Sequence, residues 1–196
     1  MSGRYIALEG GEGAGKTTVT RALAALIADA GHEAVIVREP GGTWLGEEIR
    51  RLLLHSRDMT PWAEAALFAA ARAQLIAEEV RPALAREAWV ISDRTYYSSL
   101  AYQGGARGLG VEEVRRLNEA VLGGVLPHLV AVIDVDPAVG LSRQVDSDRI
   151  GGAGEDFQRA VRSTYAALAE AEAKVILVDG SAAPGDVALA IFEAIP

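Results

Sequence analysis

Residues 10–18 read GGEGAGKTT. Gly10, four residues, then Gly15-Lys16-Thr17 is the spacing of a loop that wraps a polyphosphate. Its glycines let successive backbone N–H groups turn toward phosphate oxygens, and the helix opening at Lys16 adds partial positive charge. Gly10, Gly11, Glu12, Gly13, Ala14, Gly15, Lys16, Thr17 and Thr18 are therefore the candidate contacts for a nucleoside triphosphate. The Lys16 ammonium is expected on the β- and γ-phosphates, and the Thr17 hydroxyl on Mg²⁺. The loop carries an acid in its middle, Glu12, and supplies only Lys16 as a cation. Further positive charge must come from elsewhere in the chain.

Two other short stretches carry charge of the right kind. Arg38-Glu39-Pro40 and Asp93-Arg94 each close an apolar run. An arginine there suits a phosphate, and Asp93 suits Mg²⁺ through water. A structural ion pair is the plainer reading of each. Phe68 and Arg72 are spaced i, i+4, so they share one helix face. An aromatic plane beside a guanidinium fork suits a nucleobase, which it would stack and hydrogen-bond. Spacing alone favours the plainer reading, a core phenylalanine and a solvated arginine. Ser99 and Gln103 repeat the interval. A glutamine amide both donates and accepts, which matches a pyrimidine N3–H and carbonyl.

These residues need elements to position them. Apolar runs at 4–10, 33–39, 88–93, 128–136 and 174–180 read as five buried strands. Helical patterns fill 16–31, 43–56, 60–87, 111–124, 157–172 and 184–195, with another after Pro137. The long stretch 60–87 opens with Thr-Pro, suited to N-cap and first helical position, and Pro82 is expected to kink it. Strands alternating with helices imply an α/β, three-layer fold with a five-stranded parallel sheet. In such sheets ligands sit at the carboxyl ends of the strands. The phosphate loop, Arg38-Glu39-Pro40 and Asp93-Arg94 all lie at such ends. No repeat, linker or charge block divides residues 1–196, which are expected to form one domain.

The chain has 196 residues, half of them hydrophobic, no cysteine and a net charge of −8. Disulfides and thiolate chemistry are excluded, and the acidic balance argues against a nucleic-acid-coating surface. No signal peptide or membrane span is read, so a cytoplasmic enzyme is the expectation. His32, His55 and His128 have no metal-ligand spacing. Lysine occurs only at 16 and 174. The Asn-Lys-x-Asp element by which GTPases read their base is therefore absent.

EGGEGAGKTT, REPGGT (38–43), LFAAAR (67–72) and SDRTYYSSLAYQG (92–104), in this order and spacing, closely resemble the bacterial thymidylate kinases, over essentially the whole chain. The resemblance implies transfer of phosphate from ATP to dTMP with Mg²⁺, in a homodimer. It puts Arg50 and Arg94 on the dTMP phosphate and Phe68 against thymine. Arg72 and Gln103 would read the base edge, with Ser99 lining the pocket. Tyr102 would crowd the 2′ position, and Glu39 and Pro40 would shape the sugar-phosphate end, with Pro40 a candidate cis peptide. The resemblance is to the kind with no basic residue in the phosphate loop, which brings arginine from a lid. Here the lid falls at about 144–155, with Arg149 the candidate transition-state arginine and Arg143 the runner-up. This lid is short and poor in arginine: Gln144, Val145, Asp146, Gly151 and Ala160 stand where charge is common in the family. Thr95 replaces an aromatic residue after the Asp-Arg pair. The alternatives are a nucleoside monophosphate kinase of other base specificity, a slow nucleotide-hydrolysing regulator, and a non-catalytic binding paralogue.

Overall fold

The five apolar runs are the strands β1 (Tyr5–Glu9), β2 (Ala34–Arg38), β3 (Trp89–Asp93), β4 (Leu129–Asp134) and β5 (Val175–Asp179) of the computed structural model. The structure describes residues 3–55, 59–143 and 149–196. The strands form one parallel sheet in the order β2-β3-β1-β4-β5. Alternation along β1 sends Ile6 and Leu8 to one face of the sheet and Tyr5 and Ala7 to the other. Both faces are covered over the central strands β3, β1 and β4, which is why they read as nearly continuous apolar runs, while the edge strands leave Ile36 and Leu177 half exposed.

Helices α1 (Lys16–Asp29) and α9 (Pro184–Glu193) cover the first face, where Leu23, Ile27 and Ile191 meet Ile6, Leu8 and Ile133, all buried. Each such side chain contributes roughly 1.5–3 kcal/mol by leaving water. The second face carries α3 (Pro61–Leu75), α6 (Val111–Leu122) and α8 (Glu155–Ala171). Helix α2 (Trp44–His55) packs on α3 through Ile49, Leu53 and Ala71. Because β1 lies between β3 and β4, the chain reverses direction across the sheet there. A crevice opens outside the carboxyl end of β1 at that point.

Three local findings refine the sequence reading. Thr60 caps α3, its hydroxyl accepting from Ala63 N–H, with Pro61 in the first turn. Pro82 does not break the long helix. A π-helical stretch, Ile76–Val80, precedes α4 (Arg81–Ala85), in whose first turn Pro82 sits. A proline lacks the N–H and crowds the carbonyl four residues back, and wider i, i+5 bonding relieves both. The stretch after β3 is helical rather than a simple strand end. Helix α5 (Tyr96–Ser99), which ends in Ser99, runs into a second π segment, Leu100–Ala106, which carries Tyr102 and Gln103. No described helix is long and apolar enough to cross a membrane.

Candidate active site

The phosphate loop joins β1 to α1, as its pattern requires. Gly10, Gly13 and Gly15 all take positive φ, and Gly15 caps the helix. Gly13 is needed for space as well. A Cβ there would lie 2.0 Å from the carbonyl oxygen of Gly140, in helix α7 (Pro137–Ser142). Conversely, a Cβ on Gly140 would lie 2.2 Å from the Glu12 carbonyl. Two glycines thus let the loop and α7 touch backbone to backbone.

Lys16 is buried, and its Nζ donates to the carbonyls of Gly10 at 3.2 Å and Gly11 at 2.9 Å. Burial, reinforced by the Arg94 charge, lowers its pKa from 10.5 to about 8, against the opposing pull of Glu12 and Asp93. Thr17 Oγ1 donates to Asp93 Oδ2 at 3.2 Å, so the hydroxyl and carboxylate proposed for Mg²⁺ are side by side. Thr17 and Asp93 line an open groove of about 550 Å³ together with Lys16, Arg38 and the loop.

A second cavity, of about 120 Å³, opens beside it. Pro40, Phe68, Ser99, Tyr102 and Gln103 line it. Glu12, Glu39, Arg50 and Arg94 line both spaces, so they stand where the two meet. Arg50 Nη1 donates to the Pro40 carbonyl at 2.9 Å, and the Glu39–Pro40 bond is cis. Arg94 holds a left-handed backbone, φ 73°, uncommon for a residue with a side chain. Its Nη2 pairs with Glu12 Oε1 at 2.6 Å and its Nη1 donates to the Gly10 carbonyl and Ser98 Oγ. The central acid of the loop is therefore bound to the arginine that closes β3. Tyr102 OH donates to the same Glu12 oxygen at 3.2 Å.

Arg72 departs from the reading that its spacing favoured. It is not solvated but 1% exposed, and it lies behind the cavity lining. Its guanidinium donates to Glu39 at 2.6 Å, to Ser99 Oγ at 3.2 Å and to Asn118. Phe68 is half-buried and does line the cavity. Burial raises the Glu39 carboxyl to about 7, with Arg72 opposing the shift. Arg38 does form the plainer structural pair, with Glu47 at 2.7 Å.

The two candidate arginines of the expected lid lie apart. Arg143 Nη1 donates to the Gly13 carbonyl of the phosphate loop at 3.3 Å. Arg149 faces the acceptor side: Nε donates to Leu53 O at 2.9 Å and Nη1 pairs with Glu64 at 2.6 Å. The neighbouring Ile150 lines the second cavity. Gln144, Val145 and Asp146 lie outside the described residues. Thr95 makes polar contacts of its own. It caps α5 through Tyr97 N–H and donates to Glu9 Oε1 at 2.7 Å.

Several site residues escaped the sequence reading. Glu64 had a legible signal, since it precedes Phe68 and Arg72 at the same interval of four. Asn118 and Gly140 had none, because only the packing of α6 and α7 brings them in.

Comparison with known proteins agrees with this geometry. The family model described as thymidylate kinase matches residues 8–191. The chain belongs to the thymidylate kinase family. It is 43% identical to the thymidylate kinase of Synechococcus sp. (strain JA-3-3Ab), over 97% of this chain and 94% of that protein. It is 44% identical to the thymidylate kinase of Deinococcus radiodurans, over 94% and 91%. Among solved structures, the thymidylate kinase from Ehrlichia chaffeensis superposes with a TM-score of 0.82 at 27% identity, covering all of both chains. The five-stranded parallel sheet is that of the thymidylate kinases.

Proposed function

We propose that the chain transfers the γ-phosphoryl group of ATP to dTMP, forming ADP and dTDP, as an ATP-dependent nucleoside monophosphate kinase. The observation that carries this reading is the pair of spaces, a phosphate-loop groove and an acceptor cavity, that meet at Glu12, Glu39, Arg50 and Arg94. A phosphate donor and a phosphate acceptor enter from opposite sides and converge there. A dTMP phosphate oxygen attacks the γ-phosphorus in line, and the bond to the β,γ-bridging oxygen breaks. The attacking dTMP oxygen is already ionised near neutral pH, so no general base is required.

The chain's work is therefore positioning and charge stabilisation. Lys16 and the loop amides hold the ATP phosphates. Arg50 and Arg94 hold the acceptor phosphate, and Glu12 keeps Arg94 aimed. Phe68 stacks on the base, Gln103 and Ser99 contact its edge, and Tyr102 crowds the 2′ position. Arg72 acts from behind: three of its five N–H donors are engaged, on Glu39, Ser99 and Asn118. The remainder are directed to a base carbonyl. Thr17 and Asp93 offer adjacent hard oxygens, a donor set that fits Mg²⁺. When bound with ATP, Mg²⁺ would neutralise charge on the transferring phosphate.

Residues 1–196 act as one domain, with the lid at about 144–155. The phosphate loop carries Glu12 at its middle in place of a second basic residue, so Lys16 is its only cation and the lid supplies a further arginine. A cytoplasmic homodimer is the working form. Exposed Trp44, Leu52 and Trp62, on the adjoining helices α2 and α3, support such a contact. The net charge of −8 speaks against nucleic acid as a partner.

The test is ADP release with ATP and Mg²⁺ against dTMP, dUMP, UMP, CMP and AMP, with a no-acceptor control. Strong turnover on dTMP, weaker turnover on dUMP and little elsewhere is expected. A flat panel would overturn the reading.

A further inference from the structure

We propose that Glu64 is a positioning residue for base selection: it fixes the Gln103 side-chain amide with its carbonyl, and not its amino group, facing the acceptor base. This rests on the assignment of the second cavity to a pyrimidine monophosphate.

Glu64 lies on α3, one turn before Phe68, and its side chain is 1% exposed. Four donors converge on its carboxylate. Arg149 Nη1 approaches at 2.6 Å, Gln103 Nε2 at 2.8 Å, and Arg107 Nε and Nη2 at 3.3 and 3.4 Å. Arg107 and Arg149 set two guanidinium groups against the carboxylate, which compensates its burial. Between two guanidinium groups it only accepts hydrogen bonds.

The consequence falls on Gln103. A glutamine amide can present either end to a ligand, and the two ends read opposite patterns. Glu64 can bind only the amino end. The carbonyl Oε1 is then the end that Gln103, itself 2% exposed, turns to the cavity it lines. A fixed acceptor there matches a base whose N3 carries hydrogen, as in thymine and uracil. It opposes cytosine, whose N3 is a lone pair. Sites built around one polar group reject a mismatched partner strongly, because both groups are left unpaired. Glu64 touches no substrate in this arrangement. It turns an ambivalent amide into a one-way reader.

The experiment is titration calorimetry of dTMP, dUMP and dCMP on the full chain and on Glu64→Gln, whose amide can also donate and so releases Gln103 to flip. The dTMP-to-dCMP affinity ratio is expected to fall at least about tenfold, with the dTMP-to-dUMP ratio unchanged, since those two share the N3–H edge. A general loosening of the cavity would weaken all three alike, and an unchanged dTMP-to-dCMP ratio overturns the proposal. If Glu64→Gln does not fold, Glu64→Asp decides. It keeps the charge for the long arginines but draws back from Gln103, and the same fall is expected. In a Gln103→Ala background, Glu64→Gln should move the ratio no further; an additional change would also overturn the proposal. Failure of the parent assignment is read separately, as absence of turnover on dTMP in the acceptor panel.

Discussion

Lys16 joins two demands that pull in opposite directions. It must carry charge to hold phosphate, yet the loop buries it. Burial and the Arg94 charge bring its pKa down to about 8, within reach of ordinary assay conditions. A bound polyphosphate favours the ammonium, so ATP binding should take up a proton. ATP affinity is therefore expected to fall as pH rises through about 8, by up to roughly tenfold per unit. Below that pH the buried charge opposes folding, and this penalty is relieved as pH rises from about 8 toward 10.5, so the Lys16 contribution to stability increases over that window. ATP titrations between pH 7 and 9 check the first point; a flat profile would show that Lys16 does not govern the affinity. Lys16→Ala should abolish turnover while leaving the circular dichroism spectrum intact. Near-normal rates would remove the phosphate loop from the mechanism.

Among the elements, α7 has the least visible and most consequential role. Gly140 touches no proposed substrate, yet a methyl group there would meet the Glu12 carbonyl at 2.2 Å. Backbone would have to move, and Glu12 is bound to Arg94. Gly140→Ala is expected to cut kcat/KM for both nucleotides by about tenfold or more, since small displacements of positioning groups are costly. Steady-state kinetics check this, and parent-like values would mean that the contact yields without disturbing the loop. The lid poses a sharper choice. Arg143 lies against the phosphate loop, whereas Arg149 is tied to Glu64 and the end of α2. To reach a transferring phosphate, Arg149 must leave Glu64 as the lid closes. If it does, Arg149→Ala lowers kcat by roughly 10³-fold or more with little change in dTMP affinity. An unchanged kcat transfers the role to Arg143, which the matching alanine variant would then reveal.

For the whole molecule, the acceptor site is also part of the core. Arg72 and Glu39 form a pair with side chains 1% and 4% exposed, and Arg72 spans α3, α6 and the segment after β3 through its partners. Removing Arg72 leaves three buried acceptors, on Glu39, Ser99 and Asn118, without their donor. Arg72→Ala is thus expected to cost about 3–5 kcal/mol of folding stability, besides raising KM for dTMP more than KM for ATP. Denaturant unfolding and steady-state kinetics separate the two effects. A loss below about 1 kcal/mol would show that Glu39 finds water or neutralises instead. In the proposed site one guanidinium serves both specificity and stability.

The order of strands and helices was legible from apolar runs and their spacing, because a parallel sheet covered on both faces leaves an unbroken apolar signature. The phosphate loop was equally legible: its chemistry is local, made of backbone N–H groups and the glycines that expose them, and needs nothing distant. Beyond it, sequence spacing placed Phe68 and Arg72 on one face but could not say whether that face met solvent or core. Burial is a property of the neighbours, and the neighbours of Arg72 lie 27 to 46 residues away. Glu12, a loop acid by its sequence, is paired with an arginine 82 positions on. Only tertiary structure decided that Glu64 joins Gln103 to Arg149, and that Gly140 must be a glycine. Those facts depend on which helices cross and how closely, and no pattern confined to one element records that distance.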